Sequence, residues 1–415
     1  MKLALERGVT TMDLMNVVLS QDNIHRAYLK VKANKGASGV DNQSVDELGD
    51  YLKINGDKVI NDIRTKRYFP KPVKRVYIPK ANGRKRPLGI STVLDRMIQQ
   101  AVAQPITDIY ERVFSDYSFG FRPGRSCHDA TKQALEYLNG GYEWVIDIDI
   151  EQFFDKVNHD KLIQVLREQV NDSDVLNLIR KYLKAGVMEK GLEKATKTGV
   201  PQGGPISVIL SNVYLHELDK ELESRGLRFV RYADDVLIFT RSEMAANRVM
   251  TSISSWLERK LFLKVNATKS KVCRPTRSKY LGFTFLKHGG QWKVKPTSKS
   301  KARLYEKMRE YLKRNRAVAR PLSVTFKKVN SVVRGWINYY RIGMMKGLMK
   351  INMKYRSGFS HEDIFKVANS RLGWYKRCGQ SVVNFVLNPK LLEAKIKDRV
   401  GLLNPLDYYL RKVGI

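Results

Sequence analysis

Cysteine is scarce: Cys127, Cys273 and Cys378 lie far apart and no Cys-x-x-Cys pair occurs. That excludes a disulfide scaffold and a zinc module and predicts reduced thiols in a cytosol. Long apolar runs are missing too. No stretch approaches the roughly 18 apolar residues of a membrane span, and the start, Met1 to Arg7, lacks the apolar core of a signal peptide. A cytoplasmic protein with no membrane partner is the expectation. Acidic charge is in short supply, with 41 Asp and Glu against 76 Lys and Arg, a net charge of +35. The basic residues are spread over most of the length, so their field favours a polyanion, and nucleic acid is the first candidate. With 43% apolar residues in 415, the chain can bury a large core in two or three domains, and disorder is excluded for most of it.

What is present is organised around Arg231-Tyr232-Ala233-Asp234-Asp235. An alternating strand from Leu227 runs up to the two carboxylates, and Val236 to Thr240 runs away as an apolar one. This predicts a hairpin with two aspartates at its tip. Alone, the pair reads as an ordinary turn; with other carboxylates, it reads as a seat for a hard cation such as Mg²⁺. Trp144 to Phe154 supplies the others. As a strand it sets Trp144, Ile146, Ile148 and Ile150 on one face and Val145, Asp147, Asp149 and Glu151 on the other. Carboxylates in so apolar a strand are costly unless a cation or hydrogen-bond donors meet them.

Several loops invite phosphate or sugar. Lys35 to Asp41 carries two glycines and is either a surface turn or a strand-contacting loop. Val73 to Ile78 predicts a strand, Pro79 to Arg86 a turn with four cations, and Pro87 to Ile90 the return. That tip is either a solvated basic hairpin or a triphosphate site. Ser118 to Ser126 holds two arginines and two aromatic rings, suited to stacking on bases or to pinning by a buried Phe. Gly199 to Ser207 leads into an apolar helix from Val208 to Leu218, where glycines let backbone N–H groups approach phosphate, or simply make a tight turn. Helices are predicted over 11–32 with a break at Ser20 to Asn23, from Ser91 until Pro105 interrupts it, from Asn158, and over 246–257. Leu263 to Ser270 offers a lysine in a short loop, and a second hairpin turns at Gly289-Gly290. Composition changes near Lys295, beyond which basic amphipathic helices over 299–315 and 322–341 suit a duplex backbone or form a solvated bundle.

Nucleotide addition needs two metal ions roughly 4 Å apart, bridged by carboxylates from separated segments. Asp149, Asp234 and Asp235 form such a set. In motif order, from the glycine loop through Tyr-Ala-Asp-Asp to Tyr280-Leu281-Gly282-Phe283, residues 12–345 resemble a group II intron-encoded reverse transcriptase of the short bacterial, class C-like kind. The Pro201-Gln202-Gly203-Gly204-Pro205 form speaks for group II enzymes over retron or diversity-generating relatives.

The resemblance implies an α+β right-hand polymerase, with fingers and palm built on antiparallel sheet flanked by helices, plus a helical thumb. Its parts would be an N-terminal extension and fingers over 1–90, a fingers and palm domain over 91–295, a maturase-like thumb over 296–345, and a shortened, DNA-binding C-terminal region over 346–415. By position it makes Asp149, rather than Asp147, the metal ligand with Asp234 and Asp235, and places Ile150 in the metal-holding set. Phe154 becomes the sugar-sensing aromatic, Lys80 and Arg86 triphosphate contacts, Gln202 and Gly203 neighbours of the incoming nucleotide, and Lys269 the proton donor to pyrophosphate. It implies two Mg²⁺ ions, with Mn²⁺ as substitute, deoxynucleoside triphosphates as substrates, and intron RNA, RNA template, DNA primer and target DNA as partners. Two departures are expected to matter. The endonuclease module with cysteine pairs is absent, and the basic, tryptophan-rich helix after Tyr340-Arg341 is shortened, weakening DNA binding. Two other functions share these features, an RNA-binding splicing cofactor with a dispensable polymerase site and a host-serving polymerase in repair or defence.

Overall fold

A computed structural model describes residues 13–79, 83, 85–189, 191–313, 322–345 and 405–413. Its contacts divide into two compact units, one ending at Cys273, the other beginning at Arg274 and including Leu138–Gly141. The composition change near Lys295 does not coincide with that division, because the strands just before it pack with the helices that follow.

In the first unit, helices α1 (Leu14–Val18), α2 (Gln21–Asn34) and α3 (Leu48–Arg64) precede an antiparallel hairpin of β1 (Val73–Pro79) and β2 (Lys85–Ile90). Ser20 caps α2, accepting from the Asn23 N–H, which is the expected break and restart. Helix α4 runs Val93–Tyr110. It continues through Pro105, against the expectation that proline ends it. Proline at that position leaves the Ala101 carbonyl without its helical donor, and the buried Asn23 side chain supplies one, its Nδ2 donating to Ala101 O at 2.8 Å and to Val18 O at 2.8 Å.

After α5 (Cys127–Asn139) and β3 (Trp144–Ile148) come α6 (Phe153–Lys156), α7 (His159–Arg167) and α8 (Ser173–Lys184). Strands β4 (Val187–Glu189) and β5 (Leu192–Lys194) extend the first hairpin into a sheet ordered β2-β1-β4-β5. Helix α9 (Pro205–Ser224) starts with Pro at its first turn after Gly204 and is buried nearly all round. Strands β6 (Arg228–Tyr232) and β7 (Asp235–Thr240), helix α10 (Glu243–Leu261) and β8 (Lys271–Cys273) complete the unit. Here the sheet order is β6-β7-β3-β8, every pair antiparallel, with α9 and α10 among the elements packed on it. One apolar core, from Val18 and Ile98 through Ile146, Leu210 and Ile238 to Leu257, joins helices and sheet. Residues of β3 on both faces are buried, so the one-sided alternation expected of it is only partly realised.

In the second unit, β9 (Lys279–Tyr280), β10 (Phe283–His288) and β11 (Gln291–Pro296) form a sheet ordered β11-β10-β9. Gly289 and Gly290, at φ 59° and 77°, make the two-residue turn of β10–β11, a shape that favours glycine at both places. Helices α11 (Ser298–Leu312), α12 (Leu322–Tyr340) and α13 (Pro405–Val413) follow. Phe283 stacks on Tyr339, and the Tyr340 hydroxyl meets Ser300 Oγ at 2.8 Å. The Tyr409 hydroxyl donates to Gly343 O at 2.9 Å, which ties the last helix to the end of α12. The segment in which shortening was expected, through Lys350 to Tyr355, lies outside the described residues beyond Met345. Among the described residues no helix is long and apolar enough to cross a membrane.

Candidate active site

The register of β6 and β7 pairs Tyr232 with Asp235, leaving Ala233 and Asp234 as the hairpin loop. Ala233 takes φ 58°, a left-handed value that costs a non-glycine residue energy unless its surroundings hold it. They do. Arg231, with no exposed side-chain surface, donates from Nη1 to Ala233 O at 3.1 Å and to Asn212 Oδ1 at 2.9 Å, and from Nε and Nη2 to the two oxygens of equally buried Asp219 at 2.7 and 2.5 Å. Asn212 in turn donates to Gly120 O at 2.8 Å, and a Cβ on Gly120 would stand 2.2 Å from Ala233 N. Gly120 is therefore glycine because the loop backbone lies directly on the carboxylate-bearing turn. Sequence reasoning missed Asn212, Asp219 and Gly120 in this role. The available signal was Asn212 and Asp219 among the apolar residues that α9 buries, since buried polar groups need partners.

Asp149 sits one residue past the end of β3. Its N–H donates to Ser270 Oγ at 2.9 Å and its carbonyl accepts from the Asn266 N–H at 2.8 Å, so the Leu263–Ser270 loop grips it from the main chain. Lys269 Nζ lies 3.0 and 3.1 Å from its two carboxylate oxygens. Ile150 is buried and bridges Val265. The three aspartates meet electrostatically. Lost hydration, then Asp234, Asp147 and Asp149, push the Asp235 carboxyl up to about 6 although the residue is exposed at the tip. Asp234 is also raised, first by burial and then by Asp149, while Arg86 pulls it down. Asp147 lies opposite Lys271 in the β3–β8 register, and burial pushes its carboxyl up to about 6. Among the described residues no three acidic, histidine or cysteine side chains stand close enough, as oriented, to hold one metal ion, and the Asp149 carboxylate faces Lys269. The donor set still fits a hard divalent cation. It consists of carboxylates that raise one another's pKa, and the cation already drawn to Asp149 is a lysine of the chain itself.

The other expected contacts fall as follows. Arg86 lies on β2, opposite Ile78, not in the turn as expected, since pairing continues to Pro79 and Lys85. It is near enough to influence Asp234. Lys80 lies outside the described residues. Gln202 donates no backbone freedom to spare: its carbonyl accepts from the Gly89 N–H at 2.8 Å, and a Cβ on Gly203 would meet Gly89 O at 2.8 Å, so the Pro201–Gly204 loop rests on β2. Phe154 is half-buried in α6, edge-on to Phe153. In the glycine loop, Arg96 donates to Ala37 O at 2.7 Å and pins the loop to α4. In the Ser118–Ser126 loop Phe119 is buried, so of the two readings the pinned loop is the one seen here. Arg122 is buried, bonded to Glu111, Ser115 O and Ser118 O, so it holds the loop and is not free for a base, whereas Phe121 stands 54% exposed beside Tyr232.

The family model "Reverse transcriptase (RNA-dependent DNA polymerase)" matches residues 78–285, and "Group II intron, maturase-specific domain" matches 301–356. The chain is 41% identical over 221 residues to the group II intron-encoded protein LtrA of Lactococcus lactis subsp. cremoris, covering 52% of this chain and 36% of that one. It is 32% identical over 315 residues to protein YkfC of Escherichia coli, covering 66% and 82%. It is also 28% identical to a 91 kDa protein in a cob intron of Schizosaccharomyces pombe, covering 78% and 50%. The match thus spans about a third of LtrA's length, but most of YkfC's.

Proposed function

The chain belongs to the group II intron reverse transcriptase family, and from that premise we propose that it is an RNA-directed DNA polymerase that also binds intron RNA to assist splicing and retrohoming. The observation that carries the reading is the antiparallel sheet that sets Asp234 and Asp235 at the β6–β7 tip within electrostatic reach of Asp149 at the end of β3. Asp149, Asp234 and Asp235, with Ile150 beside them, would hold two Mg²⁺ ions, or Mn²⁺ in their place. When bound, such ions activate the primer 3′-hydroxyl and neutralise the triphosphate. The chain's own groups do the rest. Arg86 and Lys80 neutralise the triphosphate of the incoming deoxynucleotide. Gln202 and Gly203 border the nucleotide. The Phe154 ring excludes a 2′-hydroxyl. Lys269 Nζ, held at the site by Asp149, gives its proton to the leaving pyrophosphate oxygen. The basic faces of α11 and α12, with Lys301, Lys307, Lys327 and Arg334, neutralise template, primer and intron RNA phosphates, and target DNA is engaged through the same charge.

The test is primer extension on an RNA template with deoxynucleotides, in Mg²⁺ and then with excess chelator. Extension that stops with the chelator and resumes with Mg²⁺ supports the reading. Extension unaffected by chelator, or its absence on every RNA template, refutes it.

A further inference from the structure

Phe154 is the residue on which the choice of sugar rests, yet little in its own helix holds it. Helix α6 has four residues, too few to be stable alone. It begins after Gln152, which takes φ 48° and makes no side-chain capping bond, its carbonyl alone accepting from the Asp155 N–H at 2.8 Å. The support comes from a segment some forty-five positions later in the chain. The Val200 N–H donates to Phe154 O at 2.6 Å, the Gly199 N–H to Val157 O at 2.8 Å, and Thr198 Oγ1 to Asp155 O at 3.2 Å, while Thr198 bridges Asn158. Thr198 to Val200 is a strap laid across the whole turn that presents Phe154.

Gly199 makes the close approach possible. Its φ is 93°, and a Cβ there would stand 2.9 Å from Phe154 O and 3.0 Å from Asp155 O. Both neighbours are backbone atoms of the turn itself, so any side chain at 199 must push the turn away or lift the strap. The buried His159 ring also places Nε2 2.8 Å from Gly199 O. A carbonyl only accepts, so Nε2 carries the proton and donates. The strap is therefore held at its midpoint by His159, and its continuation is tied to β2 through the Gly89 N–H bond to Gln202 O.

We propose that Gly199 and His159 are positioning residues for sugar discrimination, fixing the Phe154 ring by holding the Thr198–Val200 strap against its turn. The proposal rests on the reading of Phe154 as the residue that meets the sugar. A displacement of the turn by a fraction of an ångström opens space at C2′ while leaving the carboxylates just past β3 and at the β6–β7 tip in place. The expected signature is thus selective. Incorporation of ribonucleotides rises relative to deoxynucleotides, and deoxynucleotide incorporation changes much less.

The measurement is the ratio of kcat/KM for a deoxynucleotide to that for the matching ribonucleotide, on one enzyme preparation. A ratio is insensitive to the folded fraction, so a merely structural loss cancels. Phe154→Ala comes first; if it leaves the ratio unchanged, the reading of Phe154 fails and the strap is not at issue. Given a loss there, Gly199→Ala and His159→Ala are expected to lower the ratio by about tenfold, the scale of a small misplacement at a reacting centre. His159→Gln, whose amide can still donate to Gly199 O, is expected to restore most of it. Phe154→Ala combined with His159→Ala is expected to match Phe154→Ala alone, because the strap then has no ring to hold. A ratio kept by both Gly199→Ala and His159→Ala, or lowered equally by His159→Gln and His159→Ala, overturns the proposal. So does an additive double variant.

Discussion

The turn that carries Asp234 and Asp235 owes its shape to one residue the sequence displays without explaining. Arg231 reads as an alternating strand position before the carboxylates, but it is the centre of a buried network that reaches Asp219 and Asn212 on α9 and the strained Ala233. Its partners are 12 and 19 positions away, which local periodicity does not register. The pairing of Arg231 with Asp219 is two-pronged and wholly buried, so removing one partner leaves a charge without water or counter-charge. Asp219→Ala is expected to destabilise the protein by about 3–5 kcal/mol, read as a lower midpoint in denaturant unfolding; a change within error would mean the network does not hold the turn. The carboxylates themselves were legible, because two acids at a hairpin tip and more on an apolar strand have few structural explanations. Lys269 was legible only through the family resemblance, and its contact with Asp149 depends on a loop closing over 120 positions.

Element boundaries show the same division. The β6–β7 and β10–β11 hairpins follow from alternation and from Gly289-Gly290, and α2 from its Ser20 cap. Helix α4 was not legible past Pro105, since the group that rescues it, Asn23, is 78 positions from the carbonyl it satisfies. Asn23→Ala is expected to cost about 1–3 kcal/mol through the unpaired carbonyl. Pro105→Ala in the same chain supplies a helical N–H for Ala101 O and is expected to recover part of that loss. If the double variant is no more stable than Asn23→Ala, the carbonyl was not the reason.

The strap at α7 gives a pH-dependent counterpart. Burial, foremost, lowers the His159 pKa, with Lys184 and Arg180 acting the same way and the Gly199 bond and Asp160 acting against it. The folded state therefore binds this proton less readily than the unfolded chain. Stability from neutral His159 is complete above its ordinary pKa near 6.5 and is lost as pH falls through the lowered folded value. Thermal unfolding of the parent is expected to fall more steeply below about pH 6.5 than that of His159→Gln; parallel curves would contradict the burial of a neutral ring.

Over the whole molecule, composition announced a polyanion partner and motif order announced the family, while the division at Cys273 was hidden because strand residues up to Pro296 keep the palm-like alternation. The expected C-terminal region over 346–415 ends in a helix, α13, whose Tyr408 and Tyr409 bond to Asn338 and Gly343. That helix is thus bonded to α12 and to the residues just after it. All of this charge and sheet serves one claim, that three carboxylates from two strand ends form the polymerising centre. The direct measurement is the single-turnover rate of primer extension on RNA for the parent, Asp149→Ala, Asp234→Ala, Asp235→Ala and Asp147→Asn, with RNA affinity measured on the same preparations. Extension should vanish in the three alanine variants and persist, reduced, in Asp147→Asn, with RNA affinity unchanged throughout; substantial extension by any alanine variant, or equal loss at 147 and 149, would contradict the account.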